Sequence, residues 1–191
     1  MPSLSSQDRG GQQNTGNDAL LVRAARRDPA AFAALYRRYV TPIYRYLYSR
    51  VGNAADAEDL TTQTFVAALE GLSGYHERGS FAAWLFTIAR NKAADHYRQH
   101  TPQLPLHEAL DSPAHGDNPL ARMICREALQ RLSALVARLE EDKQELLRLR
   151  FAGGLTYPEI ARVVDRSEAA VKMAVYRLLR RMEAEWEEDN E

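Results

Sequence analysis

The chain has 191 residues, 45% hydrophobic and 27% charged, which suits one large or two small globular domains. A single cysteine, Cys125, excludes an internal disulfide, and no apolar run approaches the roughly 20 residues of a membrane span, so a reducing, cytoplasmic location is expected. The net charge of −1 averages unlike segments: residues 19–100 hold 11 Lys and Arg against 7 Asp and Glu, and residues 119–182 hold 13 against 8.

Two helices are predicted near the start of the chain. Residues 1–17 contain almost no apolar side chains, so this tail is expected to be disordered. The first helix begins near Asp18 and stops before Asp28, which with the following proline supplies a new N-cap. The second helix should end at Gly52 and should kink at Pro42, where a backbone donor is missing.

Five tyrosines of the second helix could stack on bases, as aromatic side chains do in proteins that bind single strands. Tyr36, Tyr39 and Tyr44 share the apolar stripe of that helix, and core positions are the more frequent role for such residues. We therefore expect these three to be buried. Tyr46 and Tyr48 fall outside the stripe, and their role stays open.

A third helix begins near Asp56 and is acidic on its outer face. Its predicted buried stripe recurs at intervals of three and four residues and consists of Ala57, Leu60, Thr64, Ala68 and Leu72. The same spacing turns Asp56, Asp59 and Gln63 outward. An acidic face of this kind suits a protein partner better than DNA.

A loop over residues 73–79 joins this helix to a basic one. In the loop, Tyr75, His76 and Arg78 offer both stacking surfaces and hydrogen-bond donors. A plain connector between two helices, without any binding role, is an alternative that the sequence leaves open.

The basic helix starts at Ser80, a good N-cap residue. Its spacing carries Phe81, Leu85 and Ile88 inward. Polar donors lie elsewhere around it, so this helix could meet nucleic acid. Those donors are Arg90, Asn91, Lys92 and Arg98.

Residues 101–118 separate two modules. This segment is rich in proline, has no apolar periodicity and carries three acidic residues but no Lys or Arg, so we expect a flexible linker. We call residues 18–100 module one and residues 119–186 module two. An acidic tail, residues 187–191, follows. Two basic modules with acidic connectors are the pattern expected of two DNA contacts joined by segments that do not bind DNA, although solvated surface charge without a partner is an alternative.

Module two ends in a predicted helix-turn-helix. A helix over residues 141–151 should direct Leu146, Leu147 and Phe151 inward. The run from Thr156 to Glu159 is a capping box that opens a short helix. A turn follows, and then a last helix whose N-cap is Ser167. The inward residues of these two helices are predicted to be Ile160, Ala161, Val164, Val171, Val175, Leu178 and Met182.

These motifs together resemble a known family. Asp56-Ala-Glu-Asp-Leu-Thr, Phe65 and the run from Gly79 to Asn91 resemble region 2 of the bacterial extracytoplasmic-function (ECF) sigma factors, a branch of the sigma-70 family. The run at 149–161 and the stretch 171–177 resemble region 4 of the same family. The resemblance implies an all-α fold of two small helical domains joined by a flexible linker, the second containing a helix-turn-helix.

The resemblance also implies function: binding core RNA polymerase, recognising the −10 and −35 promoter elements and opening the DNA. The implied partners are promoter DNA and core polymerase, which the chain would contact through the β′ clamp helices and the β subunit. An anti-sigma factor is a further possible partner. Carried onto this sequence, the polymerase-binding residues are Asp56, Asp59 and Gln63. The −10 residues are Tyr75, His76, Arg78, Ser80, Trp84, Arg90, Asn91 and Arg98. The −35 residues are Ser167, Glu168, Ala169, Lys172, Met173, Tyr176 and Arg177.

Two other readings compete with this one. An ordinary helix-turn-helix regulator would use module two on an operator and module one for sensing or dimerisation, and a pure interaction protein would bind no DNA. No catalytic constellation is recognisable, so an enzyme is not expected, and neither is a cofactor. His96 and His100 have the i, i+4 spacing of a metal pair, but no third ligand has a fixed spacing, so no metal is expected.

Overall fold

The computed structural model describes residues 18–75, 80–99 and 119–188, and every regular element in those ranges is helical. Module one consists of α1 (residues 18–25), α2 (Pro29–Val51), α3 (Ala54–Gly71), a 3₁₀ turn (Leu72–Gly74) and α4 (Phe81–Gln99). Module two consists of α5 (Pro119–Ala137), α6 (Glu141–Leu147), a π-helical turn (Arg148–Ala152), α7 (Tyr157–Val163) and α8 (Glu168–Glu188). The prediction of an all-α chain with a helix-turn-helix is confirmed.

Side-chain caps define the helix ends of module one. The Asp28 carboxylate accepts a hydrogen bond from the Ala30 N–H at 2.9 Å, and the Asn53 side chain accepts one from the Asp56 N–H at 2.8 Å. Gly52 ends α2 with a φ of 79°, a left-handed conformation that glycine adopts without strain. Pro42 lies within α2, which continues through it to Val51. The predicted tail (1–17) and linker (101–118) lie outside the described residues.

The core of module one forms where α2, α3 and α4 pack together. Its central side chains are almost entirely shielded from water, and each contributes about 1.5–3 kcal/mol through burial. They include Leu35, Ile43, Leu47, Leu60, Leu85 and Phe86. The buried carboxylate of Asp18 ties α1 to this core, because it accepts hydrogen bonds from Arg38 and Tyr39 of α2. Burial raises the pKa of Asp18 above its usual value.

The tyrosines of α2 are placed partly against expectation. Tyr39 is buried, as predicted, but Tyr44 is only half-buried, and Tyr36 is 43% exposed, with its ring centroid 4.7 Å from that of Phe65 of α3 in an edge-on contact. Tyr36 therefore lies at the solvent-exposed edge of the contact between α2 and α3. Tyr46, which lies off the stripe, is fully buried because module two covers that side of α2.

The prediction that Phe151 points inward is wrong. Phe151 is 55% exposed, whereas Leu149 and Arg150 beside it are buried. The cause is the π-helical turn, in which the Gly153 N–H donates to the Arg148 carbonyl five residues earlier, at 2.9 Å. The wider turn rotates the following side chains away from the positions that a regular α-helix would give them.

Replacing Phe151 with serine is therefore expected to lower the free energy of unfolding by less than about 1 kcal/mol, the usual cost at an exposed site. An inward phenylalanine would lose about 3–5 kcal/mol on truncation, because its removal leaves a cavity. Urea denaturation monitored by circular dichroism gives the free energy of unfolding and so distinguishes an exposed from an inward Phe151. A loss in the larger range would contradict the π-helical register.

The helix-turn-helix has the predicted caps. The Glu159 carboxylate accepts hydrogen bonds from the Thr156 N–H and hydroxyl, at 2.9 and 2.8 Å. Ser167 accepts one from the Ala170 N–H at 3.3 Å. Between α7 and α8 the chain turns through Asp165, which has a φ of 53°. Glycine is the usual residue in this left-handed conformation, and Asp165 stands in its place. Val163 is more deeply buried than the predicted Val164, which is half-buried.

The two modules pack directly against each other. Helices α2 and α4 of module one contact the π-helical turn and α7 of module two, and buried residues of both modules form one apolar cluster. Gly153 lies against the ring of Phe86, and a Cβ at this position would come within 2.6 Å of the ring. Glycine thus permits a close approach that the sequence alone did not reveal.

Candidate nucleic-acid and partner interfaces

The outer face of α3 carries two of the three predicted partner-binding residues. Asp59 and Gln63 are exposed, and the Gln63 amide donates a hydrogen bond to the Asp59 carboxylate at 2.7 Å. Asp56 is half-buried and is engaged elsewhere, with the Asn53 amide at 2.6 Å and with His96 Nε2 of α4 at 3.2 Å. Asp59 and Gln63 form one surface, whereas Asp56 braces α3 against the end of α4.

This surface continues into an apolar strip that the sequence reasoning missed. Val66 and Leu69 are 51% and 52% exposed, about two and three helical turns beyond Asp59. Their sequence signal was that they are large apolar residues off the buried stripe of α3. Exposed apolar side chains beside polar ones are typical of a protein-binding surface.

An aromatic cluster closes the end of module one beside the loop. Tyr75 is only 7% exposed, with its ring centroid 4.8 Å from that of Trp84 and 5.9 Å from that of Phe81. As placed, the Tyr75 ring supports the half-buried Trp84 and cannot itself stack on a base without moving. The predicted loop residues His76 and Arg78 lie outside the described residues.

The predicted DNA donors of α4 fall into two groups. Asn91 and Arg98 are exposed, and Arg98 pairs with Asp95 one turn earlier. Ser80, by contrast, is 4% exposed, and its hydroxyl donates to the Glu159 carboxylate of module two at 2.6 Å. Arg90 is half-buried and likewise reaches module two, where its Nη1 donates to the Val163 carbonyl at 3.5 Å. Only part of the predicted DNA face of module one is therefore open to solvent.

Glu145 of α6 is the centre of a polar cluster between the modules. Its carboxylate is almost fully buried and accepts hydrogen bonds from the Tyr46 hydroxyl at 2.6 Å and from Arg50 Nη1 at 2.8 Å. Arg90 Nε lies 3.5 Å from the same carboxylate, and Arg148 Nη1 lies 3.9 Å from it. Burial and the charge of Glu145 raise the pKa of Tyr46, so this tyrosine acts as a neutral donor.

The predicted −35 residues, at the start of α8 and on its outer face, are all exposed. The inner face, built from Val171, Val175 and Leu178, packs against the rest of module two. The residues that face solvent are Ser167, Glu168, Ala169, Lys172, Met173, Tyr176 and Arg177. One turn further on, the Arg180 guanidinium donates to the Tyr176 hydroxyl at 3.2 Å. A helix with basic residues in its N-terminal half, an exposed outer face and a capped N-terminus has the form of a recognition helix.

Two features of the described residues bear on other functions. Among residues 18–75, 80–99 and 119–188, no three His, Cys, Asp or Glu side chains are grouped so that they could hold a metal ion. Of the helices in the same ranges, none is both long enough and apolar enough to cross a bilayer.

Known proteins match both modules. Residues 35–102 match the family profile of Sigma-70 region 2, and residues 129–182 match that of Sigma-70, region 4. The ECF RNA polymerase sigma factor ShbA of Streptomyces griseus is 33% identical over 177 residues, covering 87% of this chain and 93% of ShbA. The ECF RNA polymerase sigma factor BldN of Streptomyces coelicolor is 40% identical over 166 residues; the match covers 84% of this chain but 62% of the length of BldN.

A solved structure has a similar fold. CnrH, determined in complex with the cytosolic domain of CnrY, matches this chain with a TM-score of 0.66 and 25% sequence identity. The match covers 90% of this chain and 97% of CnrH. The similarity thus extends over both modules.

Proposed function

The chain belongs to the ECF branch of the RNA polymerase sigma-70 family, and from that premise we propose that it directs core polymerase to promoters with a −10 and a −35 element. The observation that carries this proposal is the presence, on one chain, of a region 2 module with an acidic and apolar partner face and a region 4 module with a free recognition helix. The chain then acts by binding, and its place of action is the cytoplasm, where polymerase is.

Module one is assigned two surfaces. Asp59 and Gln63, with the neighbouring Val66 and Leu69, are proposed to meet the β′ clamp helices of core polymerase, a partner that needs polar and apolar contacts side by side. Asp56 belongs to the same helix but acts by holding His96 of α4. Module two is proposed to contact the β subunit of polymerase as well as the −35 element.

The −10 element is assigned to α4 and to the segment before it. Trp84 is half-buried on a floor of Tyr75 and Phe81, so its exposed part is held rigidly for contact with a base. Asn91 and Arg98 are exposed on the same helix and can donate to phosphates or base edges. Ser80 and Arg90 can join them once module two is displaced.

On module two, the −35 element is assigned to the N-terminal three turns of α8. Lys172 and Arg177 supply positive charge, and Met173 and Tyr176 between them supply apolar surface for a base edge such as a thymine methyl. Ser167 caps the helix, whose N-terminus favours phosphate, with Glu168 and Ala169 beside it.

We also propose that a protein partner holds the chain when it is not on polymerase. CnrH was solved with the cytosolic domain of CnrY bound to it. By analogy, a protein partner is expected here, and membership of the ECF family suggests that this partner is an anti-sigma factor. The rival reading of module one as a ligand sensor loses its support, because that module matches region 2.

The proposed function is tested first by complex formation. Fluorescently labelled chain should co-migrate with bacterial core RNA polymerase in a native gel, and unlabelled chain should displace it. The −35 and −10 contacts are then located by nuclease footprinting, as the positions of promoter DNA that the assembled complex protects from cleavage. A chain that binds promoter DNA equally well without polymerase, and does not bind polymerase, would instead be an ordinary helix-turn-helix regulator.

Exchange of the loop residues 74–78 for those of another ECF sigma factor is expected to change base preference at one −10 position by about fivefold or more. Opening a duplex exposes a base, and holding that base by stacking and edge hydrogen bonds offsets the unstacking cost of a few kcal/mol. Transcription is scored on templates with all four bases at each −10 position. Normal activity with unchanged preference would make the loop a connector and leave −10 reading to Trp84, Asn91 and Arg98.

A further inference from the structure

Gly71, the last residue of α3, lies against the Trp84 side chain of α4. A Cβ at position 71 would come 3.3 Å from Trp84 Cζ2 and 3.7 Å from Trp84 Cη2, two atoms of the six-membered ring of the indole. The shorter distance is below the optimum of about 3.5–4.0 Å for two carbon atoms, so an alanine at this position would push the ring away. The indole therefore rests directly on the backbone at the end of α3.

The backbone does not require a glycine at position 71. Gly71 has a φ of −79° and a ψ of −7°, a right-handed conformation that residues with a side chain adopt freely. Alanine would also favour the helix more than glycine does, because glycine loses more conformational freedom on folding. Gly71 is exposed, so no packed core fills the space around it. What glycine provides here is room for the indole of Trp84.

The other aromatic contacts of Trp84 are with buried rings. The Trp84 ring centroid lies 4.8 Å from that of Tyr75 and 5.6 Å from that of Phe81, and both of these residues are buried. Tyr75 is held in turn by a hydrogen bond that Arg26 donates to its carbonyl. Close-packed side chains of this kind do not accommodate an added methyl group without strain. A Cβ at position 71 would thus displace the half-buried indole away from its support and towards solvent.

We propose that Gly71 is a positioning residue for Trp84, and that its missing side chain sets the depth and tilt at which the indole meets a base of the opened −10 strand. This inference rests on the proposed function of Trp84. Gly71 itself makes no contact with the base. Because stacking depends on the position of the aromatic ring, the effect of Gly71 lies in promoter opening and not in binding to core polymerase.

The position of the indole is tested by tryptophan fluorescence of the full chain. Trp186→Phe removes the other of the two tryptophans, so the emission of this parent reports Trp84 alone. Acrylamide should quench the emission of Gly71→Ala more strongly than that of the parent, because more of the ring is in water. The matched control is Gly74→Ala, the same substitution at a position where a Cβ would meet no described residue, other than its chain neighbours, within 4 Å. No increase in Gly71→Ala, or an equal increase in Gly74→Ala, would overturn the proposal.

The effect on DNA is measured with holoenzyme assembled from core polymerase and each variant. The template is a promoter that the unmodified chain uses, with the fluorescent base 2-aminopurine within the −10 element, so that fluorescence rises when this base leaves the stack. Gly71→Ala should slow opening about fivefold, which corresponds to about 1 kcal/mol, while its affinity for core polymerase stays unchanged. An equal loss of affinity for core polymerase would place Gly71 on the polymerase-binding face and overturn the proposal.

A double-mutant cycle separates the positioning of Trp84 from a local effect on the end of α3. Phenylalanine lacks the two ring atoms that meet position 71 but keeps a ring for stacking, so Trp84→Phe should retain a measurable rate of opening. In this background Gly71→Ala should not slow opening further. The same loss in both backgrounds would overturn the proposal, because Gly71 would then act without the indole. Failure of the proposed function is a separate result, since the unmodified chain with core polymerase would then open no promoter.

Discussion

Replacement of Asp59 with arginine is expected to weaken binding to core polymerase by about 30-fold or more. Asp59 is exposed at the centre of the proposed partner face and is held in place by the Gln63 amide at 2.7 Å. Removing one partner of a charge pair at an interface costs about 2–5 kcal/mol, and a like charge in its place adds repulsion. Titration of labelled chain with core enzyme measures the change.

The matched control for this experiment is Glu58→Arg. It makes the same charge reversal on the same helix, but one residue along α3 turns the side chain by about 100°, away from Gln63. The control should bind core polymerase nearly as well as the unmodified chain. If both variants lose affinity equally, net charge rather than the Asp59 face determines binding, and the assignment fails.

The second large effect is a loss of affinity for −35 DNA when two basic residues of the recognition helix α8 are removed. The double variant Lys172→Ala, Arg177→Ala should bind −35 DNA at least about 30-fold more weakly, since each contact contributes about 1 kcal/mol or more. Both residues are exposed on the outer face of α8 and neither packs in the module two core. The measurement is affinity for promoter DNA at several salt concentrations, with polymerase holoenzyme assembled from each variant.

Salt dependence separates the two kinds of contact. Loss of a phosphate contact reduces the salt slope by about 1 and weakens all sequences alike, whereas loss of a base contact relaxes preference at one position. The matched control is Arg131→Ala, Arg181→Ala, which removes the same charge from module two at residues that pair with Glu127 and Glu185. A control that loses as much affinity as the test variant would contradict the proposed placement of α8.

Local signals in the sequence were sufficient to predict where several helices begin and end. Asp28, Asn53 and Ser167 act through side-chain oxygens on backbone donors two or three residues away, and Gly52 acts through its own φ. Such interactions need only neighbours along the chain, so a single sequence specifies them. The acidic outer face of α3 and the exposed face of α8 followed from helical periodicity in the same way.

Errors arose where the outcome depended on distant or irregular structure. Phe151 was placed inward on the assumption of a regular helix, and the π-helical turn from Arg148 rotates it outward. Tyr46 lies off the stripe of its own helix, yet it is buried because Glu145, far along the chain, covers it. No spacing within α2 contains that information, so the contact between the modules could only come from the structure.

The central claim, that this chain gives polymerase its promoter specificity, is tested most directly by sequencing the 5′ ends of transcripts made in vitro. Core polymerase is incubated with genomic DNA, with and without the chain. The account predicts a set of start sites that appears only with the chain, each preceded by the same pair of −35 and −10 sequences. Identical start sites in both reactions, although the chain is folded and bound to polymerase, would contradict it.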